Sequence, residues 1–458
     1  MVGLAKTGLA VAAQLASEGC AVIVTDDGPL TAALQSRIDE VAALGCRFEL
    51  APDQLRVEKL VGESDYVVPS PGVKPSHPII LAAHRLAKPV RSEIDIAAER
   101  FTFPIVAVTG TNGKTTTVEM ITAMLRQGGL RVESGGNIGT PLVSFVGSAL
   151  DVVVAEVSSF QLEFVTSHWQ PRVAVVLNIA DDHLDWHGTF SAYRSAKARI
   201  ALFQSADDVL VANIDDEVVR STVCADTPAH ERAVHSKLVE VTIEAAQRGQ
   251  YRVEDGVLCS PDGELLPVEK LPRRLPHDLT NSLCASAATF ALRSALGLGQ
   301  DRASVVEVLE NYETLPHRVQ FIGENQGVKF FNDSKATNPH ATLRAVSAFE
   351  SVVLIAGGLN KGLDLSVLRS AAPQLRAVVA IGSATDEVLM AFRGVVPVQS
   401  ASGMADAVQL AAAAAKPGDV VLLSPGCASF DMYTDGYTAR GDDFAAEVRA
   451  IITKEPVS

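Results

Sequence analysis

The chain has little that would tie it to a membrane, a nucleic acid or an oxidising compartment. Its apolar runs stop at strand length, far below the roughly 18 residues of a membrane span. Its 39 lysines and arginines are outnumbered by 54 aspartates and glutamates, for a formal net charge of −15. Proteins that grip a phosphate backbone cluster Lys and Arg, so this balance speaks against a nucleic-acid partner. It leaves room for a local basic pocket that takes a small anion. The six cysteines, Cys20, Cys46, Cys224, Cys259, Cys284 and Cys427, are scattered, and no two form a CxxC pair. That is the pattern of reduced thiols in a cytoplasmic protein. Aromatics make up only 5%, so the core must be aliphatic. No charged-then-apolar signal pattern opens the chain, and no internal repeat runs through it.

What the sequence has is alternation. Short apolar runs such as "FPIVAVTG", "DVVVAEVSS", "RVAVVLNIA", "DVLVANIDD", "SVVLIAGG", "AVVAIGS" and "DVVLLSPG" each end in a polar or glycine turn. "AVIVTDD" and "DYVVPSPG" belong to the same class. Amphipathic stretches such as "TTVEMITAMLRQGG" separate several of them. This predicts an α/β fold with parallel sheets covered on both faces and functional loops at the strand C-termini. Fresh α/β runs begin near residues 98–104 and 310–323. Three domains are therefore expected, 1–101, 102–314 and 315–458. Residues from about 225 to 272 read instead as hairpins, an antiparallel flap on the middle domain.

The strongest motif is "IVAVTGTNGKTTTVEM". A strand runs into Gly110, Thr111, Asn112, Gly113, Lys114, Thr115 and Thr116, then a helix. Glycines let the backbone turn its N–H groups toward a phosphate, and the helix N-terminus adds positive potential. Lys114 reaches the outer phosphates and the Thr115 hydroxyl suits Mg²⁺. The full Walker pattern wants a glycine at Val108, so the loop is a shortened variant. Glu156 ends the strand "DVVVAE", where a metal-organising acid belongs. The loop "NIADDHLDWH" after Asn178 gathers Asp181, Asp182, His183, Asp185 and His187, a candidate ligand or metal site. By itself Lys197, on the next amphipathic helix, reads as a solvated surface charge, and Asn281 reads as an N-terminal helix cap. Arg318, Asp333, Lys335, Thr337, Lys361, Ser429, Phe430 and Arg440 fall on later strand-end loops.

In order along the chain, "GLAKTG", "TGTNGKTTT", "GGNIG", "EVSSFQLE", "DDHLDWH", "YRSAKARI", "LPHR", "NDSKATN", "GGLNKG" and "LLSPGCASFD" resemble the Mur ligases of peptidoglycan synthesis, in particular their D-glutamate-adding branch. The resemblance implies a Rossmann-like UDP-binding first domain, a P-loop ATPase-like middle domain and a Rossmann-like C-terminal domain. It also implies ATP, two Mg²⁺ sites and a monomer. UDP-N-acetylmuramoyl-L-alanine and D-glutamate would be the substrates, joined through an acyl phosphate. By the same resemblance Gly110 to Thr116, Asn281, Arg318 and Asp333 bind ATP. Thr115, Glu156, His183 and Lys197 serve the metals, with Lys197 carbamylated by CO₂. Lys114, Glu156, His183 and Lys197 are then the catalytic set. Lys6, Thr7, Asp26, Ser70, Gly72, Asn137, Ser159 and His183 contact the muramoyl nucleotide. Lys335, Thr337, Lys361, Ser429, Phe430 and Tyr437 take D-glutamate. Two departures stand out: His277-Asp278 replaces the family's His-Asn, and an extra residue between Ser429 and Arg440 leaves Tyr433 as an alternative to Tyr437.

Three rivals fit less of the chain. "GLAKTG", with Asp26 and Asp27 about 20 residues on, loosely matches a nicotinamide dinucleotide fingerprint, but leaves the phosphate loop, Glu156 and His183 unexplained. A folate-extending ligase would share the middle domain without a UDP-binding first one. A non-catalytic nucleotide binder would not need Lys114, Glu156, His183 and Lys197 together. In "MVGLAKTG" only Met1 and Val2 precede the glycine turn, so the first strand is reduced to Val2. The expectation is a start upstream of Met1 and neighbours short of hydrogen-bond partners.

Overall fold

The computed structural model describes residues 1–224, 235–244, 249–313 and 315–453. Residues 225–234 and 245–248 of the expected hairpin segment lie outside the described residues. The chain divides into two compact units. One holds residues 1–179, 191–274 and 278–312; the other holds 180–190, 275–277 and 313–458.

The first unit is built on a nine-stranded sheet. From one edge it runs Val132–Gly136, Val152–Glu156, Ile105–Thr109, Val173–Val176, Val209–Asn213, Lys237–Thr242 and Tyr251–Glu254, all paired in parallel. Val257–Ser260 and Gly263–Pro267 continue it antiparallel. The hairpins are thus an extension of the central sheet. Strands Ile105–Thr109 and Val152–Glu156 are buried along their whole length, as strands covered on both faces must be. Helices Lys114–Gln127 and Pro276–Ala295 supply Ile121, Met124, Leu283 and Ala287 to that core.

Residues before 101 form a smaller parallel arrangement. Ile23–Asp26 pairs with Arg47–Leu50. Val2 bridges both Thr25 and Pro69. Its neighbours are not short of partners. Val2 N–H donates to Val68 at 2.8 Å, Gly3 to Thr25 at 2.8 Å and Ser70 to Val2 at 2.8 Å, while Thr25 donates to Met1 at 2.9 Å. "DYVVPSPG" gives only isolated bridges, at Val67 and Pro69. Bonds from Val2 N–H to Val68 O and from Ser70 N–H to Val2 O flank Pro69, so its missing N–H costs no bond there, and the pairing stops because the partner segment Met1–Gly3 is short.

The second unit holds six strands in the order Gln320–Asn325, Val328–Asn332, Val420–Leu423, Val352–Gly357, Leu375–Ile381 and Val398–Ser400. Only the first pair is antiparallel. Helix Tyr437–Thr453 seats Phe444 and Val448 with Phe330, Val421 and Leu423. The strand-end loops after Asn332, Gly357 and Leu423 come out on one edge.

Candidate active site

The phosphate loop leaves strand Ile105–Thr109 and enters the 14-residue helix Lys114–Gln127. Gly113 caps that helix at φ +87°, a left-handed conformation that glycine adopts without strain. Among the described residues no side-chain hydrogen bond caps the helix, and a helix N-terminus of this kind is the arrangement that receives a phosphate. Asn178 braces the loop: its Oδ1 accepts from Asn112 N–H at 2.8 Å and its Nδ2 donates to Asn112 O at 2.9 Å. Thr111 N–H donates to Asn178 O at 2.9 Å. The Thr111 hydroxyl meets the buried Tyr193 hydroxyl at 2.9 Å. Neither Asn178 nor Tyr193 has a residue type that points to a site role. Only the polar end of an apolar strand hinted at Asn178.

Lys114 folds back onto the loop, donating to Gly110 O at 2.8 Å and Thr111 O at 3.1 Å. Lys197 donates to the same Gly110 oxygen at 2.9 Å and lies 4.8 Å from the centre of the Tyr193 ring. The surface-charge reading of Lys197 is overturned: it is 2% exposed. Two ammonium groups therefore share one carbonyl. Glu156 stands on the strand paired with the start of the phosphate loop, in register with Val108. Its Oε1 accepts from Asn137 Nδ2 at 2.9 Å, and its buried Oε2 has no partner among the described residues. Asn281 is also corrected. It is the sixth residue of helix Pro276–Ala295, because Pro276 starts the helix where a missing N–H costs nothing. Its Oδ1 would stand 2.7 Å from a Cβ on Gly113, which puts it against the phosphate loop. The departure at Asp278 is balanced by Arg273, whose Nε donates to it at 2.6 Å.

The first glycine-rich loop is equally built. Gly3 has φ +87°, and a Cβ on Gly8 would fall 2.0 Å from Gly3 O, so helix and loop touch. Ser70 Oγ donates to Gly3 O at 2.9 Å. Asp26 accepts from Leu4 N–H at 2.6 Å and Gly28 N–H at 2.8 Å, so both its oxygens hold the loop. Asp26 and Gly72 line a cleft of about 480 Å³ with Gly3, Lys74 and His77. Thr7 lies in the first turn of helix Lys6–Ser17. Lys6 Nζ donates to Gly139 O at 2.7 Å, which ties this loop to the segment carrying Asn137. Ser159 is buried in the first turn of helix Ser159–Glu163, beside the capping-box residue Ser158.

In the second unit, His183 has φ +53° and side-chain contact with Asp182 at 3.7 Å. Asp182 also accepts from Asn338 Nδ2 at 3.1 Å. Arg318 lies between His317 at φ +62° and Val319 at φ +46°. A β-branched residue there is a strained outlier, and such strain collects at functional sites. Asp333 accepts from Ser424 Oγ at 2.8 Å and from Val319 N–H at 3.3 Å. Lys335 Nζ lies 4.0 Å from the centre of the Tyr437 ring, whereas the Tyr433 hydroxyl donates to Asp443 at 2.5 Å. Of the two tyrosines, Tyr437 is the one brought to Lys335. Ser429 is buried and Phe430 is 63% exposed. Thr337 and Lys361 are half-buried on their loops. Among the described residues no three His, Cys, Asp or Glu side chains gather as a ready-made metal cluster.

Two family models match the chain. A Mur ligase middle domain covers residues 108–289, and a Mur ligase glutamate ligase domain covers 317–427. The UDP-N-acetylmuramoylalanine–D-glutamate ligase of Trichlorobacter lovleyi is 38% identical over 98% of each chain. The solved structure of a pseudomurein peptide ligase type C from Methanothermus fervidus aligns at TM-score 0.61, with 18% identity, over 98% of this chain and 99% of that one. MurF ligase from Thermotoga maritima, solved in complex with ADP, aligns at TM-score 0.57, with 17% identity, over 95% of this chain and 97% of that one. Full-length identity to a D-glutamate ligase, on a fold shared with these ligases, places the chain in the Mur ligase family.

Proposed function

We infer that this chain is an ATP-dependent, ADP-forming ligase that joins D-glutamate to UDP-N-acetylmuramoyl-L-alanine, a cytoplasmic step in making the peptidoglycan precursor. The observation that carries the reading is Glu156: a buried carboxylate with one oxygen unpaired among the described residues, on the strand beside the phosphate loop, in a chain 38% identical to such a ligase over 98% of its length. We read three functional domains in it, residues 1–101, 102–314 and 315–458.

The chemistry follows from the groups present. A carboxylate is a poor acyl donor because its leaving group would be oxide. Transfer of the ATP γ-phosphoryl to the L-alanine carboxylate gives an acyl phosphate and ADP. The D-glutamate amine then attacks the acyl carbon, and phosphate leaves. Two anions meet in the first step. Lys114 and the helix N-terminus at Gly113 offset that repulsion by holding the transferred phosphate. Glu156 Oε2 and the Thr115 hydroxyl fit Mg²⁺, a hard cation that takes one or two carboxylates and fills the rest with phosphate and water. When bound, Mg²⁺ supplies Lewis-acid screening of the phosphate charge.

The remaining roles are assigned on family likeness and on the geometry above. Asn281, Arg318 and Asp333 contact ATP. Lys6, Thr7, Ser70, Gly72, Asn137 and Ser159 contact the muramoyl nucleotide, while Asp26 shapes its loop. Lys335, Thr337, Lys361, Ser429, Phe430 and Tyr437 form the D-glutamate pocket. His183 is a metal ligand. Lys197 serves as a carbamate, since CO₂ adds to a neutral amine to give a metal-binding carboxylate. That role requires a locally depressed lysine pKa, and Lys197 is buried. Lys197→Ala should lose turnover that a short-chain carboxylate restores and bicarbonate does not; full activity in that variant refutes the role.

The decisive assay is phosphate release from ATP with UDP-N-acetylmuramoyl-L-alanine, comparing D-glutamate, L-glutamate, glycine and L-alanine. Release is expected with D-glutamate alone. Equal release with any of the others, or none with D-glutamate, overturns the reading.

A further inference from the structure

Arg440 sits in the first turn of helix Tyr437–Thr453 and is 0% exposed. Its guanidinium donates to Ser334 Oγ at 3.0 Å, Ser334 O at 2.8 Å, Cys427 O at 3.1 Å and Ala428 O at 3.2 Å. All four acceptors are uncharged. Burial pulls the guanidinium down to about 10, and the nearby Cys427, Asp431, Tyr433 and Asp333 offset only part of that. Burying a cation on neutral acceptors is expensive. The core would be cheaper to fill with an apolar side chain, so the arginine calls for a reason other than stability.

The reason lies in where its acceptors are. Ser334 follows strand Val328–Asn332; Cys427 and Ala428 follow strand Val420–Leu423. A third loop, after strand Val352–Gly357, presses on the second of these and on Arg440 itself. A Cβ on Gly358 would stand 3.0 Å from Arg440 Nη1 and 2.3 Å from Ala428 O. Leu359 and Ala428 exchange N–H···O bonds of 2.8 and 3.0 Å. A planar fork of donors spans several acceptors in fixed geometry, which a lysine ammonium does not. Each of these loops runs on into residues assigned above to the amino-acid pocket: Lys335 and Thr337, Ser429 and Phe430, and Lys361. Ser334 Oγ donates in turn to Tyr437 O at 2.8 Å, so the aromatic wall belongs to the same clamp.

We propose that Arg440 is a positioning residue that sets the spacing of the D-glutamate pocket by clamping two of the strand-end loops that build it, the third being pinned to one of them through Leu359 and Ala428. This rests on the D-glutamate reading above. The test is steady-state kinetics of the full chain for wild type, Arg440→Lys and Ser334→Ala, with KM measured separately for D-glutamate, ATP and the muramoyl nucleotide. Arg440→Lys keeps the charge and loses the fork. It should raise KM for D-glutamate by roughly tenfold or more, with the other two KM values within about twofold. Ser334→Ala removes one acceptor and should shift the same constant in the same direction by a smaller factor. If Arg440→Lys does not fold by circular dichroism, Ser334→Ala decides. A D-glutamate KM unchanged within about twofold, or all three constants rising together, overturns the proposal. A wild type whose phosphate release ignores D-glutamate instead sinks the functional reading, before any variant is compared.

Discussion

Glu93 shows how much a single buried carboxyl can matter away from the reacting atoms. It opens helix Glu93–Arg100 and is 1% exposed. Its Oε1 accepts from Val143 N–H at 2.7 Å, at the foot of the segment that carries Asn137 and Gly139. Burial pushes its carboxyl up to about 7, against the pull of hydrogen bonds from Val143, Leu142 and Gln161. The sign follows directly. Between the ordinary glutamate value and about 7 the folded chain holds a proton that the unfolded chain has released. Folding stability therefore falls as pH rises through that window, by on the order of 3 kcal/mol in all. Glu93→Gln carries no titrating proton. Its melting temperature relative to wild type should improve between pH 5 and pH 8, measured by thermal unfolding at both. A relative decline over that range would contradict the burial argument.

At the scale of elements, what was legible is what apolar runs and glycine turns encode. Ile105–Thr109, Val152–Glu156 and Val352–Gly357 are buried on both faces, so their sequences are almost pure Val, Ile and Ala, and the strands read directly. The phosphate loop read as well, because the strand, the glycines and the Gly-Lys-Thr triplet coincide. Other parts depend on contacts between distant segments, which no local pattern carries. Asn178 looks like the end of a strand until it is seen bracing Asn112. Lys197 looks like a surface charge on an amphipathic helix until Gly110 is found beside it. Asn281 looks like a cap because an Ala-rich stretch follows, yet the helix begins at Pro276. Val67 and Pro69 look like a strand by apolar content, but their partner segments are so short that only isolated bridges form. The strained backbone on either side of Arg318 has no sequence signature at all.

At the scale of the whole molecule, the chain carries two tryptophans, and each reports on a different compact unit. Trp169 is fully buried in the first unit; Trp186 belongs to the second. In the first unit the small sheet before residue 101 is tied to the nine-stranded sheet by polar contacts close to Trp169. Ser92 N–H donates to Phe164 O at 2.9 Å. Asp95, buried and paired with Arg91 at 2.6 Å, accepts from Thr166 N–H at 2.7 Å. Separating the sheets would leave Asp95 and its partners unsatisfied or newly exposed, which makes them a single cooperative body. UDP, a fragment of the proposed muramoyl nucleotide, should bind only near the loop Gly3–Gly8, yet it should stabilise the surroundings of Trp169. In Trp186→Phe, whose emission comes from Trp169 alone, UDP at about 100 times its Kd should add about 2.7 kcal/mol and raise the fluorescence midpoint by several degrees. Adding Asp95→Ala should shrink that shift, because the tie that transmits it is gone. A Trp169 midpoint that ignores UDP, with binding verified by calorimetry, would mean that the small sheet unfolds on its own. The muramoyl end of the substrate would then sit on a separately folding module.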